Sequence, residues 1–243
     1  PETIIGTALG ITVFPTLATL ANTGDRAGLR RTASWALRLI LALAVPAAVG
    51  LCVLGRPLTV LLFQRGAFDA ATTDRVTLAL QFFALGLIFH SALEVVSRLF
   101  YAQQDMWTPL WAALAGVVTN GTLGWLLLPA LAQGGIALSN SLAVGLQVGL
   151  LLLAARRRLN GIEGQALITS LGRTAVASAV MAVTMVSFRA LVPGLGSRLL
   201  GIGGLVVGGA TYVVTATLLG SEELRQLPTL LLKRGARLDR LSN

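Results

Sequence analysis

The sequence predicts an all-α, polytopic transmembrane helix bundle of about seven spans. Three observations carry that prediction. Only 12% of the 243 residues are charged, about half of the ~25% usual in a soluble domain. Mean hydropathy is +0.78, so polar surface is too scarce to coat a water-soluble body. Apolar runs of about 20 residues recur, the length that crosses a hydrocarbon core of about 30 Å. They lack the period-two alternation of a barrel strand, which leaves helices as the spanning element.

The runs fall at about 1–20, 34–63, 76–101, 109–130, 134–155, 171–192 and 198–219. The chain starts at Pro1 inside the first run, with no initiator Met, charged n-region or cleavage site. The expectation is a fragment whose N-terminal part lies upstream, not a signal peptide. In the second run Pro46 lacks the N–H a helix interior needs and is the hinge candidate. The polar loop "QRGAFDAATTDR" (64–75) offers Asp74 as a cap for the third helix. Thr108-Pro109 reads as an N-cap followed by proline at the first helical position of the fourth. Gly134-Gly135 predicts a tight turn between the fourth and fifth. The glycine pairs Gly6/Gly10, Gly145/Gly149 and Gly204/Gly208 permit close helix contact, with ordinary packing favoured over a dimer motif. The basic tail 221–243 either lies on an anionic leaflet or frays.

Net charge is +9, and Lys233 is the single lysine among 19 basic residues. The basic residues flank apolar runs and form no stripe interleaved with exposed aromatics, so no nucleic-acid partner is expected. Arg26, Arg30 and Arg31, then Arg156, Arg157, Arg158 and Arg173, then the basic tail fall on one side of the membrane. They make twelve basic residues there against five opposite. The positive-inside rule puts that side, with the C-terminus, in the cytoplasm. Arg38 and Arg98 lie within spans.

Cys52 is the single cysteine, which excludes an internal disulfide and a multi-cysteine metal site; no metal centre is expected. No Gly-rich phosphate loop, nucleophile–base arrangement or cofactor motif occurs. The chain is therefore expected to be neither an enzyme nor a cofactor protein.

The chemistry that remains is polar groups inside the bilayer, where ionisable residues usually mark a pathway or a partner. His90, Glu94 and Arg98 sit at i, i+4 and i+8, on one helix face, with the acid N-terminal to the base. One reading is a self-neutralised pair that stabilises the bundle. The other is a water-filled transport cavity that handles a charged substrate or couples protons. Asn120 and Asn140 lie in neighbouring spans joined by a short turn. They are a candidate polar or ion site if the amides meet, and interhelical glue otherwise.

The strings "GTALGITVFPTLATLA" (6–21), "LAVPAAVGLCVLGRPLTVLLFQRGAFDAATT" (43–73), "RLFYAQQDMWTP" (98–109) and "GGIALSNSLA" (134–143) carry a resemblance. They are similar to the C-terminal half of the MurJ/MviN lipid II flippases, in the multidrug/oligosaccharidyl-lipid/polysaccharide exporter superfamily. The match is clear over about 1–158; the last two spans match by position and hydropathy only. The resemblance implies most of the second six-helix lobe of a MATE-like transporter over 1–158, lacking that lobe's first helix. It implies two additional helices over 159–220, then the basic cytoplasmic tail. It implies a multi-pass protein of the bacterial inner membrane that works with an N-terminal lobe absent from this sequence. Its task would be export of undecaprenyl-pyrophosphate-linked peptidoglycan precursor from inner to outer leaflet by alternating access, for cell-wall biogenesis. A groove between the last two helices would take the lipid tail.

Some members bind sodium through an Asn and an Asp one turn apart and a Thr in the next helix. Asn120 matches that Asn, but Gly124 and Asn140 stand where the Asp and Thr would be. Coupling to Na+, H+ or the membrane potential stays open. Two other functions remain: a different exporter of the superfamily, carrying another lipid-linked glycan or drugs, and a non-transporting scaffold for cell-wall synthesis. The "RGAF", "FYA" and "TP" strings argue against the first. Glu94 and His90 within the bilayer argue against the second.

Overall fold

The computed structural model describes residues 13–63, 70–159, 161, 163–192, 197–221 and 223. The first expected span lies mostly outside them; its described part, residues 13–22, is helical and is termed α1. Six further helices follow: α2 (Arg26–Phe63), α3 (Ala70–Ala102), α4 (Trp107–Leu131), α5 (Gln133–Arg158), α6 (Gly164–Leu191) and α7 (Ser197–Leu218). Among the described residues these six are long and apolar enough to cross a membrane.

Helix α2 is the spine. Its 38 residues span about 57 Å at 1.5 Å per residue, well beyond a hydrocarbon core of about 30 Å. One side packs with α1, α3 and α5 around Leu17, Ile40, Phe100 and Leu151. The other packs with α6 and α7 around Leu54, Met181, Met185 and Tyr212. Helix α4 pairs mainly with α5 and is the most exposed. Its Trp107 and Trp125 are five helical turns apart on one face. That places them about 27 Å apart, the spacing of interfacial aromatic belts.

Several helix ends differ from the sequence expectation. Helix α2 starts at Arg26 because Asp25 caps it, its Oδ1 accepting from the Gly28 amide at 2.9 Å, and Gly24 turns with φ +72°. Arg26, Arg30 and Arg31, outside the expected run 34–63, therefore stand on the first turns of α2. Helix α3 starts at Ala70, so Asp74 lies inside it and pairs with Arg56 at 3.0 Å instead of capping. Thr108 does not cap α4. Asp105 does, its Oδ1 accepting from the Trp107 and Thr108 amides, both at 3.0 Å. Pro109 then falls in the first turn, where its missing N–H costs nothing.

The α4–α5 turn is at Ala132, with φ 47°, and Gly134 and Gly135 are already helical. They serve close approach: a Cβ on Gly134 would lie 3.0 Å from the Phe82 ring, and one on Gly135 2.6 Å from the Leu127 carbonyl oxygen. Gly135→Ala is expected to force the hairpin apart and to cost about 1–3 kcal/mol, read as a lowered unfolding midpoint in detergent. Of the other glycine pairs, Gly6/Gly10 lies outside the described residues. Gly145 faces Phe89, whereas Gly204 and Gly208 face Leu54 and Met185, so these three glycines pack against helices of the same chain.

Candidate functional site

Helix α3 turns His90, Glu94 and Arg98 to one face, as a 3.6-residue period requires. Glu94 Oε2 accepts from Arg98 Nε at 3.3 Å and from Nη2 at 3.1 Å. The two side chains are 40% and 25% exposed, so the pair lines an open side of the described bundle. Behind it, Val95, Val96, Leu99 and Phe100 are buried in the core and fix the rotation of α3.

His90 lies one turn further into the membrane. Its Nε2 is 3.3 Å from the side-chain amide nitrogen of Asn140 on α5. Which of the two donates depends on the imidazole tautomer. The two asparagines do not meet each other. Asn120 Oδ1 accepts instead from the Ser139 hydroxyl at 2.9 Å. Successive residues of a helix point about 100° apart, so Ser139 faces α4 while Asn140 faces α3. A polar layer thus crosses α3, α4 and α5. The one sequence signal for its Ser139 member is its place beside Asn140.

Helix α2 runs through Pro46 unbroken. Proline at 46 deprives the carbonyl of Ala42 of its intrahelical donor. The buried Tyr212 hydroxyl of α7 donates to that carbonyl, so the hinge candidate is pinned by a helix far along the chain.

At the arginine-rich end, the motif "D-x2-TP" becomes a network. Asp105 Oδ2 pairs with Arg158 Nη1 at 2.6 Å and accepts from the Thr108 hydroxyl. Arg158 Nη2 donates to Thr108 Oγ1 at 3.0 Å, and the guanidinium lies 5.6 Å from the centre of the Phe100 ring. One side chain of the triple-arginine run therefore ties the end of α5 to the α3–α4 turn. Burial pushes the Asp105 carboxyl up. The Thr108 hydroxyl and amide, the Arg158 guanidinium and the Trp107 amide outweigh it and hold the carboxyl below its ordinary 3.8. Its stabilisation is therefore full above that ordinary value and is lost as pH falls below it, through the lowered folded value. The difference in unfolding midpoint between wild type and Asp105→Asn is expected to be constant near neutrality. It should narrow only below about pH 3.8; a gap that closes nearer neutrality would disprove the lowered value.

A family model described as Lipid II flippase MurJ matches residues 1–202. The probable lipid II flippase MurJ of Rhizobium tropici is 32% identical over 232 residues, covering 92% of this chain and 44% of that protein. The lipid II flippase MurJ of Burkholderia cenocepacia is 31% identical over 158 residues, 65% of this chain and 31% of its own length. Among solved structures, a lipid II flippase MurJ in an inward closed conformation matches with a TM-score of 0.74 at 21% identity. That match covers 90% of this chain and 44% of the other, a likeness of fold. The chain spans less than half the length of these relatives. On the family match and the Rhizobium relative together, the chain belongs to the lipid II flippase MurJ family.

Proposed function

We propose that this chain forms the second lobe and two appended helices of a transporter that flips lipid II, an undecaprenyl-pyrophosphate-linked peptidoglycan precursor, from inner to outer leaflet. The single observation that carries the reading, beyond family membership, is the half-open His90–Glu94–Arg98 face at membrane depth. A charged pair left partly solvated inside an apolar bundle has a use in a water-filled path and none in a scaffold. In this reading the face turns toward the cavity shared with an N-terminal lobe, and alternating access moves the lobes about it. The protein sits in the bacterial inner membrane with its arginine-rich end and C-terminus in the cytoplasm. It performs no covalent chemistry.

Coupling to protons or to the membrane potential is favoured over sodium. Gly124 supplies no carboxylate beside Asn120, and Asn120 and Asn140 are turned to different partners, Ser139 and His90. Transport is therefore expected to continue at an unchanged rate in sodium-free medium; arrest on sodium removal would reverse the assignment. The central test is complementation of a strain depleted of its lipid II flippase by the full-length gene. Rescue is expected. Lysis despite confirmed membrane expression would sink the proposal.

A further inference from the structure

A second polar site lies away from the transport face. Arg38 of α2, Gln165, Thr169, Ser170 and Arg173 of α6, and Glu223 beyond α7 line a cavity of about 260 Å³ at the arginine-rich end. Arg38 is poorly satisfied there. Its nearest carboxylate oxygen, Glu223 Oε1, is 3.8 Å from Nη1, against about 2.7–2.9 Å for a charge-assisted hydrogen bond. That same oxygen already accepts the Ser170 hydroxyl at 2.9 Å. Arg38 Nε is buried and has no hydrogen-bond partner. Arg173 donates Nη1 to the Gly220 carbonyl at 2.9 Å, which leaves the rest of its fork for a ligand. Among the described residues that line it, two guanidiniums face one carboxylate, a net positive charge. A planar fork with unused donors suits a phosphate oxygen.

The rim says what carries the phosphate. Gln165, Thr169 and Arg173 recur every four residues and form one stripe on α6. Val176, Val180 and Val183 continue it deeper into the membrane and are 53%, 41% and 66% exposed. A polar, cationic head region thus runs straight into an open apolar track on the same helix face. A free anion would use only the first part. An amphiphile uses both.

We propose that this cavity holds the phosphate of an anionic phospholipid from the leaflet at the arginine-rich end, with an acyl chain along the α6 valine track. The lipid bridges α2, α6 and the segment after α7 through the guanidiniums of Arg38 and Arg173. The site lies apart from the His90–Glu94–Arg98 face.

The test is the unfolding midpoint of the protein purified in detergent, titrated separately with phosphatidylglycerol, phosphatidylcholine and soluble glycerol 3-phosphate. Phosphatidylglycerol is expected to raise the midpoint saturably, and the other two are not. Arg173→Gln should need about tenfold more phosphatidylglycerol for the same rise, while Arg173→Lys keeps most of the response. If Arg173→Gln does not fold, Thr169→Glu, which sets a carboxylate on the exposed rim, should show the same loss. An equal rise with phosphatidylcholine would overturn the proposal, as would an unchanged response in the variants. An equal rise with glycerol 3-phosphate would assign the cavity to a free phosphate and remove the lipid.

Discussion

Glu94→Ala is expected to weaken complementation sharply, while adding Arg98→Ala to it costs little more. The two side chains form one unit, with both Arg98 donors on the same Glu94 oxygen. Removing the acid strands a guanidinium about a turn from the helix end. At the centre of a bilayer such a charge costs about 2.5–3.5 kcal/mol. Here the cost is lower, about 1–2 kcal/mol, because the pair is partly solvated and Arg98 can snorkel toward the end of α3. Stability therefore falls modestly, and a loss of function larger than the loss of folded protein isolates the transport role. Growth of the depleted strain and the amount of folded protein in the membrane are the two readouts. Independent, additive losses from Glu94→Ala and Arg98→Ala would show that the residues do not act as a pair.

Tyr212→Phe is expected to lower stability by about 1–3 kcal/mol, the cost of leaving a buried polar group without its partner. The group is the Ala42 carbonyl, which Pro46 has deprived of its helical donor and which Tyr212 serves from 170 residues away. The sharper form is a cycle. Pro46→Ala restores an amide at position 46 that can donate to Ala42, so the Tyr212→Phe loss should shrink by more than half in that background. Unfolding midpoints of the four proteins in detergent decide it. Equal losses with and without the proline would mean that the Tyr212 hydroxyl stabilises the fold independently of the donor missing at Pro46.

Both predictions join features that the sequence exposes to different degrees. The Glu94–Arg98 pair was legible because an i, i+4 spacing on a helix fixes its own geometry, whatever surrounds it. The helix bodies were legible for a similar reason, since a run of about 20 apolar residues has one stable solution in lipid. Helix starts were less so. Thr108-Pro109 has the right residue types for a cap, but Asp105 three residues earlier takes the amides, and its Arg158 partner sits on another helix. Asp74 offered a similar false cap because α3 begins four residues before it. Gly134-Gly135 have the chemistry of a turn, but their small size serves contact with Phe82 and Leu127.

The sequence by itself determined that this is a multi-pass helical membrane protein, where its six described helices long and apolar enough to cross run, and which face of α3 carries charge. Composition and short-range period settle those matters, because the bilayer demands internally satisfied backbone over a fixed thickness. Only the tertiary structure decided the partners: Asn140 with His90, Asn120 with Ser139, Tyr212 with Ala42, and Arg38 with Glu223. A helix's own period says which way each residue faces on that helix. It does not say which neighbour stands opposite, and that depends on the rotation and depth at which packed helices lock together.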